Sequence, residues 1–326
     1  MKKRILSGMR PTGKLHLGHL VGALDNWIKL QDEYECLFMS ADWHALMSEY
    51  EDTHELSENI IDNLVDWLSV GIDPEKSTIF VQSHVPQHAE LHMVFSCITP
   101  LGLLERCPTY KEQMREVKAR DLNTYGFLGY PVLQAADILL YKANKVPVGQ
   151  DQLPHLELTR EIARLFNNLS KKETFPSPDA ILTKTPKLLG LDGRKMSKSY
   201  LNTINLSDNP EVITRKISTM FTDPQRIKLT DAGHPDICNV FVYYSTFVPE
   251  SKDEVRDWCV NAKSGCTECK KKLASHIIER LAPIQKKREA LLKDKAGLMK
   301  ILDEGAKKAS AIALETMKEV RLALNL

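Results

Sequence analysis

This chain has no long apolar run and no excess of charge of either sign. No stretch approaches the roughly 20 apolar residues that a membrane-spanning helix needs, and residues 1–3 lead into a strand-like run rather than a signal peptide. The 44 lysines and arginines nearly balance 43 aspartates and glutamates, so net charge alone does not predict a nucleic-acid partner. With no internal repeat or low-complexity tract, 326 residues predict a two-domain cytoplasmic protein.

Cysteine is also sparse, with seven in the chain. In an intracellular protein we do not expect disulfides. Cys36, Cys97 and Cys107 have apolar neighbours in sequence, and we predict that they are reduced core residues.

The other cysteines are clustered and follow the pattern C-x20-C-x6-C-x2-C, at Cys238, Cys259, Cys266 and Cys269. A C-x2-C pair with two outlying cysteines fits a four-thiolate site for zinc or for an iron–sulfur cluster. Cysteines that bind no metal are the third possibility.

A metal site at His84, His88 and His92 is rejected. Their spacing is nearly helical, but Pro86 argues against a continuous helix through His84. Nothing nearby supplies a cluster of carboxylates.

Short apolar runs alternate with helical patterns along the first part of the chain. Strand-like runs lie at residues 4–7, 36–40 and 78–81. This rhythm predicts an α/β protein with a parallel sheet and crossover helices. After residue 199 the chain is predicted to be helical with breaks.

The most informative segment is His-Leu-Gly-His at residues 16–19, which follows an Arg-Pro-Thr-Gly turn at residues 10–13. The pattern predicts a strand, a turn and then a helix. A helix N-terminus offers unpaired N–H groups to phosphate, and Gly18 permits close approach of a ligand. His16 and His19 can donate ring N–H groups to phosphate as charge develops there.

A second segment, Lys-Met-Ser-Lys-Ser, lies at residues 195–199 after a turn-forming stretch at residues 191–194. Lys195 and Lys198 carry compact charges on flexible stems, which suits a departing pyrophosphate. Either segment alone is more often an ordinary surface or core feature. Together, and in this order, they indicate two elements that hold one nucleotide.

These segments resemble the HIGH and KMSKS signatures of the class I aminoacyl-tRNA synthetases. Residues 130–141 and 146–152 resemble the tryptophanyl-tRNA synthetases and, less closely, their tyrosyl relatives. The likeness implies a Rossmann-like catalytic domain at residues 1–205 with a helical insertion at about 87–123. It also implies an α-helical anticodon-binding domain at residues 206–326, and a homodimer formed largely through the insertion.

The family reaction uses ATP with Mg²⁺, L-tryptophan and tRNA(Trp). The tryptophan carboxylate attacks the α-phosphate to give an adenylate, and the 2′-hydroxyl of the tRNA then takes the acyl group. No enzyme nucleophile is required, so the site is expected to act by positioning and by stabilising charge. Catalytic roles are implied for His16, His19, Lys195 and Lys198.

The resemblance also assigns binding residues. ATP contacts are implied for Arg10, Pro11, Thr12, Gly18, His19, Gly149, Gln150, Asp151, Leu188, Lys195, Met196, Ser197, Lys198 and Ser199. Tryptophan contacts are implied for Leu6, His44, Tyr130, Gln134, Asp137, Val146, Val148 and Gln152.

Helical spacing independently places Tyr130, Gln134 and Asp137 on one face of a helix entered at Pro131. Exposed polar residues on a first turn are an equal interpretation of the spacing alone. The resemblance assigns the indole N–H to Asp137. Leu6 stands where tyrosyl relatives have a tyrosine, and since indole offers one donor whereas phenol both donates and accepts, an apolar residue there favours tryptophan.

Two residues depart from the pattern of many tryptophanyl enzymes. Arg10 replaces a glutamine and could grip a carboxylate or phosphate more strongly, while Gln134 replaces a methionine and resembles the tyrosyl pattern. His44 resembles a pocket histidine, although a lone histidine is more often a satisfied buried group. The alternatives are a tyrosyl-tRNA synthetase and a non-tRNA nucleotidyltransferase of the same superfamily. The intact second segment and the long helical tail favour tRNA use.

A subset of bacterial tryptophanyl enzymes has a similar cysteine pattern. This likeness implies a [4Fe-4S] cluster at the cysteines, ahead of zinc. Through the same resemblance, the basic runs at residues 270–272 and 286–288 become candidate tRNA contacts.

Overall fold

The computed structural model describes residues 2–116, 121–182, 188–194, 196 and 200–326. The chain divides into two compact units. Unit 1 comprises Met1–Gly13, Trp27–Lys184 and Asp294–Leu326, and unit 2 comprises Lys14–Asn26 and Thr185–Lys293. These units do not follow the predicted boundary after residue 205, because the end of the chain belongs with unit 1. As a division of function, that boundary stays a prediction.

Unit 1 is built on a five-stranded parallel sheet in the order β3-β2-β1-β4-β5. The strands are β1 (Arg4–Met9), β2 (Glu35–Ser40), β3 (Ser77–Val81), β4 (Lys145–Val148) and β5 (Asp179–Leu182). The central strands are short apolar runs because helices cover both faces of a parallel sheet. Residues 36–40 of β2 are all buried.

The helices around the sheet follow the apolar periodicity of the sequence. They are α3 (Asp42–Glu49), α4 (Leu56–Val70), α5 (Gln87–Ile98), α6 (Leu101–Glu105), α7 (Pro108–Glu116), α8 (Tyr125–Leu128), α9 (Tyr130–Leu140), α10 (Leu153–Ser170) and α15 (Lys295–Leu324). Pro86 directly precedes α5, consistent with the helix break expected there. The predicted α/β class with a parallel sheet is confirmed.

Unit 2 is helical. Its elements include α1 (Leu17–His19), a π-helical turn at Leu20–Leu24, α11 (Pro210–Ser218), α12 (Asn239–Phe247), α13 (Lys252–Val260) and α14 (Cys266–Leu291). The π-helical turn leads into α2 (Asp25–Glu33), whose residues from Trp27 onward belong to unit 1. Across the described ranges, no helix is long and apolar enough to cross a membrane.

The structure corrects one cysteine prediction. Cys36 and Cys107 are buried as expected, but Cys97 is exposed. On α5 the buried residues His88, Leu91 and Phe95 define the inner face. Cys97 lies off that face, because two positions beyond Phe95 a helix has turned through about 200°.

Candidate active site

The order of the strands locates a crevice in unit 1. The chain builds β1, β2 and β3 in one direction and then places β4 and β5 on the other side of β1. In open parallel sheets, ligands bind at the carboxyl ends of the strands where the winding reverses. That point lies at the ends of β1 and β4, which are followed by residues 10–13 and 149–152.

Asp137 is the most heavily hydrogen-bonded of the predicted tryptophan-binding residues. It lies on α9, is 2% exposed, and its Oδ2 accepts from His44 Nε2 at 2.7 Å. Burial alone would raise the pKa of Asp137, but the hydrogen bonds from His44 and His88 outweigh it and hold the pKa well below its usual range. The carboxylate is therefore an ionised acceptor, and His44 is the satisfied histidine beside it.

Three further side chains at this carboxylate were missed by sequence reasoning. Gln82 Nε2 and His88 Nδ1 donate to Asp137 Oδ1 at 2.8 and 2.7 Å, and the Tyr141 hydroxyl lies 2.7 Å from His88 Nε2. All three are fully buried. The signal that could have found them is a polar residue, Gln82, directly after a buried strand.

A second hydrogen-bonded group centres on His155 of α10, which the sequence also did not reveal. Its Nε2 lies 2.8 Å from both the Tyr130 hydroxyl and Thr109 Oγ1, and its Nδ1 lies 2.9 Å from Gln152 Oε1. Burial lowers the pKa of His155 to about 4. Tyr130 and Gln152, both predicted to bind tryptophan, are thus connected through one neutral imidazole.

The apolar members of the predicted tryptophan set share a core. Leu6, Val146 and Val148 are buried in the same packed cluster as the apolar residues of α9. Gln134 lies on α9 and is half-buried, so a helix face carrying Tyr130, Gln134 and Asp137 is observed as predicted.

The predicted nucleotide contacts of unit 1 follow the two strand ends. Arg10 Nη1 donates to Ser48 Oγ at 3.0 Å, and the turn through Pro11 and Thr12 ends at Gly13 with a φ of 116°. This conformation favours glycine.

The residues after β4 also form a tight turn. Gly149 precedes a single 3-10 turn at Gln150–Gln152. A Cβ on Gly149 would lie 2.7 Å from Asp151 Oδ1, so a side chain at this position would displace that carboxylate.

In unit 2 the first motif is compact. His16 is 7% exposed, its ring centroid lies 3.9 Å from that of His19, and its backbone N–H donates to His19 Nδ1 at 3.2 Å. Because Nδ1 accepts, the proton of a neutral His19 ring is on Nε2.

Met196 of the second motif lies close to Gly18 of the first motif. A Cβ on Gly18 would lie 3.0 Å from the His16 ring and 3.2 Å from Met196 Sδ. Met196 is 8% exposed and Leu188 is 7% exposed. The remaining predicted residues of this motif lie outside the described residues: Lys195, Ser197, Lys198 and Ser199.

The clustered cysteines of unit 2 line one cavity, together with apolar side chains that include Val240, Phe241 and Trp258. Its thiols belong to Cys238, Cys259, Cys266 and Cys269. Burial raises the pKa of the Cys269 thiol to about 12. In the described part of the chain, no three or more histidine, cysteine, aspartate or glutamate side chains are arranged to hold a metal ion.

Two basic runs lie on α14, at residues 270–272 and 286–288, and Lys271 and Lys272 of the first are exposed. Lys286 and Lys287 are exposed, whereas Arg288 is 8% exposed and is not a surface contact. Lys272 Nζ lies 4.0 Å from the centroid of the Trp258 ring. The run at residues 286–288 is therefore only partly available to a partner.

Comparison with known proteins agrees with this geometry. The family described as tRNA synthetases class I (W and Y) matches residues 1–282. A protein of Thermotoga maritima named tryptophan–tRNA ligase is 52% identical over 326 residues, covering 99% of each chain. A protein of Aquifex aeolicus with the same name is 44% identical over 394 residues, covering 99% of this chain and 100% of its own.

A solved structure gives the same result. The tryptophanyl-tRNA synthetase of Campylobacter jejuni, complexed with ADP and tryptophan, has a TM-score of 0.89 and 35% identity, covering 99% of this chain and 100% of that chain. The chain belongs to the class I tRNA synthetase family of the W and Y type. It is an aminoacyl-tRNA synthetase.

Proposed function

We propose that this synthetase is specific for tryptophan, activating it with ATP and transferring it to tRNA(Trp). Relatives at 52% and 44% identity over nearly the whole chain are tryptophan–tRNA ligases. The observation that carries the proposal within the site is Asp137, a buried ionised acceptor beside an apolar pocket.

The pocket suits an indole better than a phenol. Asp137 Oδ2 accepts from His44 and has a second lone pair for a ring N–H. Leu6, at 3% exposure, offers a phenol oxygen no polar partner. A tyrosine hydroxyl would therefore lose part of its hydrogen bonding on entry, which costs affinity.

We propose that the substrate ammonium binds at Tyr130, Gln134 and Gln152. If the His155 Nδ1–H donates to Gln152, then His155 Nε2 can accept from only one of the two hydroxyls that lie 2.8 Å away, and we propose that the donor is Tyr130 rather than Thr109. The lone pairs of the Tyr130 oxygen then remain available to accept from an ammonium group.

Phosphate binding is assigned to unit 2. We propose that His16 and His19 donate to phosphate oxygens and that Lys195 and Lys198 stabilise the departing pyrophosphate. Gly18 and Met196 set the spacing between the two motifs, as their close approach suggests. Mg²⁺ would be carried by the ATP phosphates rather than by a protein cage.

The remaining nucleotide contacts keep the roles that the resemblance implies. Gly149, Gln150 and Asp151 would hold the ribose. The other proposed ATP contacts are Arg10, Pro11, Thr12, Leu188, Ser197 and Ser199.

ATP–pyrophosphate exchange with each amino acid tests the proposal. Tryptophan should support exchange and tyrosine should barely do so, because only the indole matches the polar groups of the pocket. Exchange with tyrosine in preference would refute the assignment. Exchange without acylation of tRNA(Trp) would instead favour a non-tRNA nucleotidyltransferase.

We further propose a [4Fe-4S] cluster at the four cysteines. Their thiols line one cavity with largely apolar walls, and soft thiolates are the ligands of such clusters. The cluster would stabilise the local fold or tune tRNA binding.

Anaerobic purification tests the cluster. The protein should be brown and contain iron and labile sulfide at about four per chain, as a [4Fe-4S] cluster requires. Cys266→Ser should abolish the colour and leave pyrophosphate exchange largely intact. Colourless protein with stoichiometric zinc would replace the cluster by a zinc site, and protein without metal would exclude both.

We propose a homodimer that contacts through the helical insertion. Met93 on α5 is 64% exposed and Leu101 on α6 is 56% exposed; both belong to the predicted insertion, and an interface would bury such apolar side chains. Analytical ultracentrifugation should give two chains per particle, and Met93→Glu should shift it towards one. A monomeric wild-type protein would contradict this proposal.

We keep the helical region at residues 206–326 as the proposed anticodon-binding part of the chain. Its exposed basic candidates are Lys271, Lys272, Lys286 and Lys287. We also keep the cytoplasm as the proposed compartment.

A further inference from the structure

Asp137 is held from behind by a buried row of three polar side chains. Gln82 and His88 donate to Oδ1, on the opposite side of the carboxylate from the oxygen that accepts from His44. Tyr141 lies behind His88. An aspartate side chain ionises in water without such contacts. We therefore attribute to these three contacts the orientation of the Asp137 carboxylate.

The orientation of the Gln82 amide is fixed by its other end. The backbone N–H of Trp43 donates to Gln82 Oε1 at 3.1 Å. Because the amide oxygen is occupied by this donor, the amide NH₂ must face Asp137.

The tautomer of His88 is fixed in the same way. Burial raises the pKa of Tyr141 well above its ordinary value, so its hydroxyl stays protonated. Among the described residues, His88 Nε2 is the hydrogen-bond partner of this buried hydroxyl, and Asp137 Oδ1 on the other side of the ring can only accept; a neutral ring therefore carries its proton on Nδ1, and Nε2 accepts from Tyr141. Oδ1 thus faces two N–H donors and has no room for a proton of its own.

We propose that His88, fixed by Tyr141, is a specificity-determining positioning residue that keeps Asp137 an acceptor-only group. Such a group accepts the ring N–H of an indole and disfavours a ring of the same shape that has no donor. The inference rests on the proposed function, in which Asp137 receives the indole N–H. Without the His88 donor, the carboxylate can turn or take up a proton, and its preference for a donor falls.

The test compares L-tryptophan with L-β-(3-benzothienyl)alanine, in which sulfur replaces the ring N–H. The measured quantity is the ratio of the kcat/KM values for pyrophosphate exchange with the two amino acids. For the wild type we expect a ratio of roughly tenfold to hundredfold, as for a hydrogen bond to a charged group.

Two variants remove parts of the row. Tyr141→Phe releases the His88 tautomer and should lower the ratio roughly threefold to tenfold, as for one neutral hydrogen bond. His88→Leu removes the donor and should lower it by roughly tenfold or more.

His88→Asn is the conservative rescue, because its amide N–H can take the place of the Nδ1–H. It should keep the ratio within roughly threefold of the wild type. His84→Asn, at an exposed histidine on the turn before α5, is the matched control and should leave the ratio unchanged.

The outcomes separate the inference from the proposed function. A purely structural role for His88 predicts equal losses with both amino acids and an unchanged ratio, which would overturn the inference. A ratio as low in His88→Asn as in His88→Leu would also overturn it. A wild-type ratio near one would instead show that Asp137 does not receive the ring N–H, and the pocket assignment itself would fail.

The tautomer of His88 can also be measured directly in the wild-type protein, so this test does not depend on the folding of a variant. Long-range ¹H–¹⁵N NMR of the histidine rings at neutral pH should show His88 protonated on Nδ1 and unprotonated on Nε2. A ring protonated on Nε2 would overturn the inference.

Discussion

Gly18→Ala should slow the formation of the adenylate, because an added methyl group would displace the His16 ring. A Cβ at this position would lie 3.0 Å from the His16 ring and 3.2 Å from Met196 Sδ. Ordinary contact begins at 3.4 Å, so the His16 ring must move by about 0.4 Å in Gly18→Ala. That ring is buried and lies against His19, so the movement passes to the second proposed phosphate ligand.

The magnitude follows from the sensitivity of catalysis to position. A displacement of about 1 Å can cost roughly a hundredfold in rate, so 0.4 Å predicts a loss of roughly fivefold to tenfold. Stability should change little, because alanine gains about 1 kcal/mol over glycine in a helix and crowding costs about the same. Tryptophan affinity should be unchanged, since the proposed pocket residues are elsewhere.

Gly22 is the matched control in the same segment. It is exposed, and a Cβ there would meet no described atom within 4 Å. Gly22→Ala should therefore keep the wild-type rate and gain roughly 0.5 to 1 kcal/mol in the free energy of unfolding.

Rapid-quench single-turnover measurement of tryptophanyl-adenylate, with calorimetry for tryptophan binding and thermal unfolding for stability, tests both variants. A rate for Gly18→Ala within twofold of the wild type would refute the reasoning. An equal loss of rate in Gly22→Ala would show that the segment tolerates no added methyl group, whatever the neighbours of Gly18.

Three further outcomes are expected. Asp137→Ala should weaken tryptophan binding by about 1 to 3 kcal/mol through loss of a charged acceptor, and unchanged affinity in calorimetry would contradict its role. Lys195→Ala or Lys198→Ala should lower the adenylation rate much more than tryptophan affinity, because their charge would meet phosphate chiefly in the transition state; a normal pre-steady-state rate would exclude this. Burial lowers the pKa of His155 from 6.5 to about 4, so below pH 6.5 the unfolded chain binds a proton that the folded chain refuses. The free energy of unfolding should then fall as pH drops from 6.5 to 4, by about 3 kcal/mol at most. In denaturant titrations, the free energy of unfolding of His155→Gln should fall less over this pH range than that of the wild type; the same pH dependence in both proteins would contradict the prediction.

The features predicted correctly from sequence are those that depend on local pattern. The first three strands, β1 to β3, and the entry to α9 were predicted because apolar runs and Pro131 act within a few residues, whereas β4 and β5 were not predicted as strands. The face of α9 that carries Tyr130 and Asp137 follows from helical spacing alone.

The partners of those side chains could not be predicted in this way. His88 was considered only as a metal ligand, since its spacing to His84 and His92 was the visible pattern. Its actual partners, Asp137 and Tyr141, come from α9 and its end, about 50 residues away in sequence. A hydrogen bond between distant elements has no periodic signature, so the fold must be known before such a partner can be named.

The packing partner of the last helix could not be predicted from the sequence either. The helix α15 was predicted to belong to a separate helical domain, because an amphipathic pattern tells which face is buried but not against what. In the structure it packs on β3, and a Cβ on Gly305 would lie 1.8 Å from the backbone oxygen of Ile79. A glycine costs about 1 kcal/mol inside a helix, so it persists there only where close packing demands it. Gly305 is therefore a local sign that α15 approaches another backbone, but a glycine does not identify the partner strand, which lies more than 200 residues earlier in the chain.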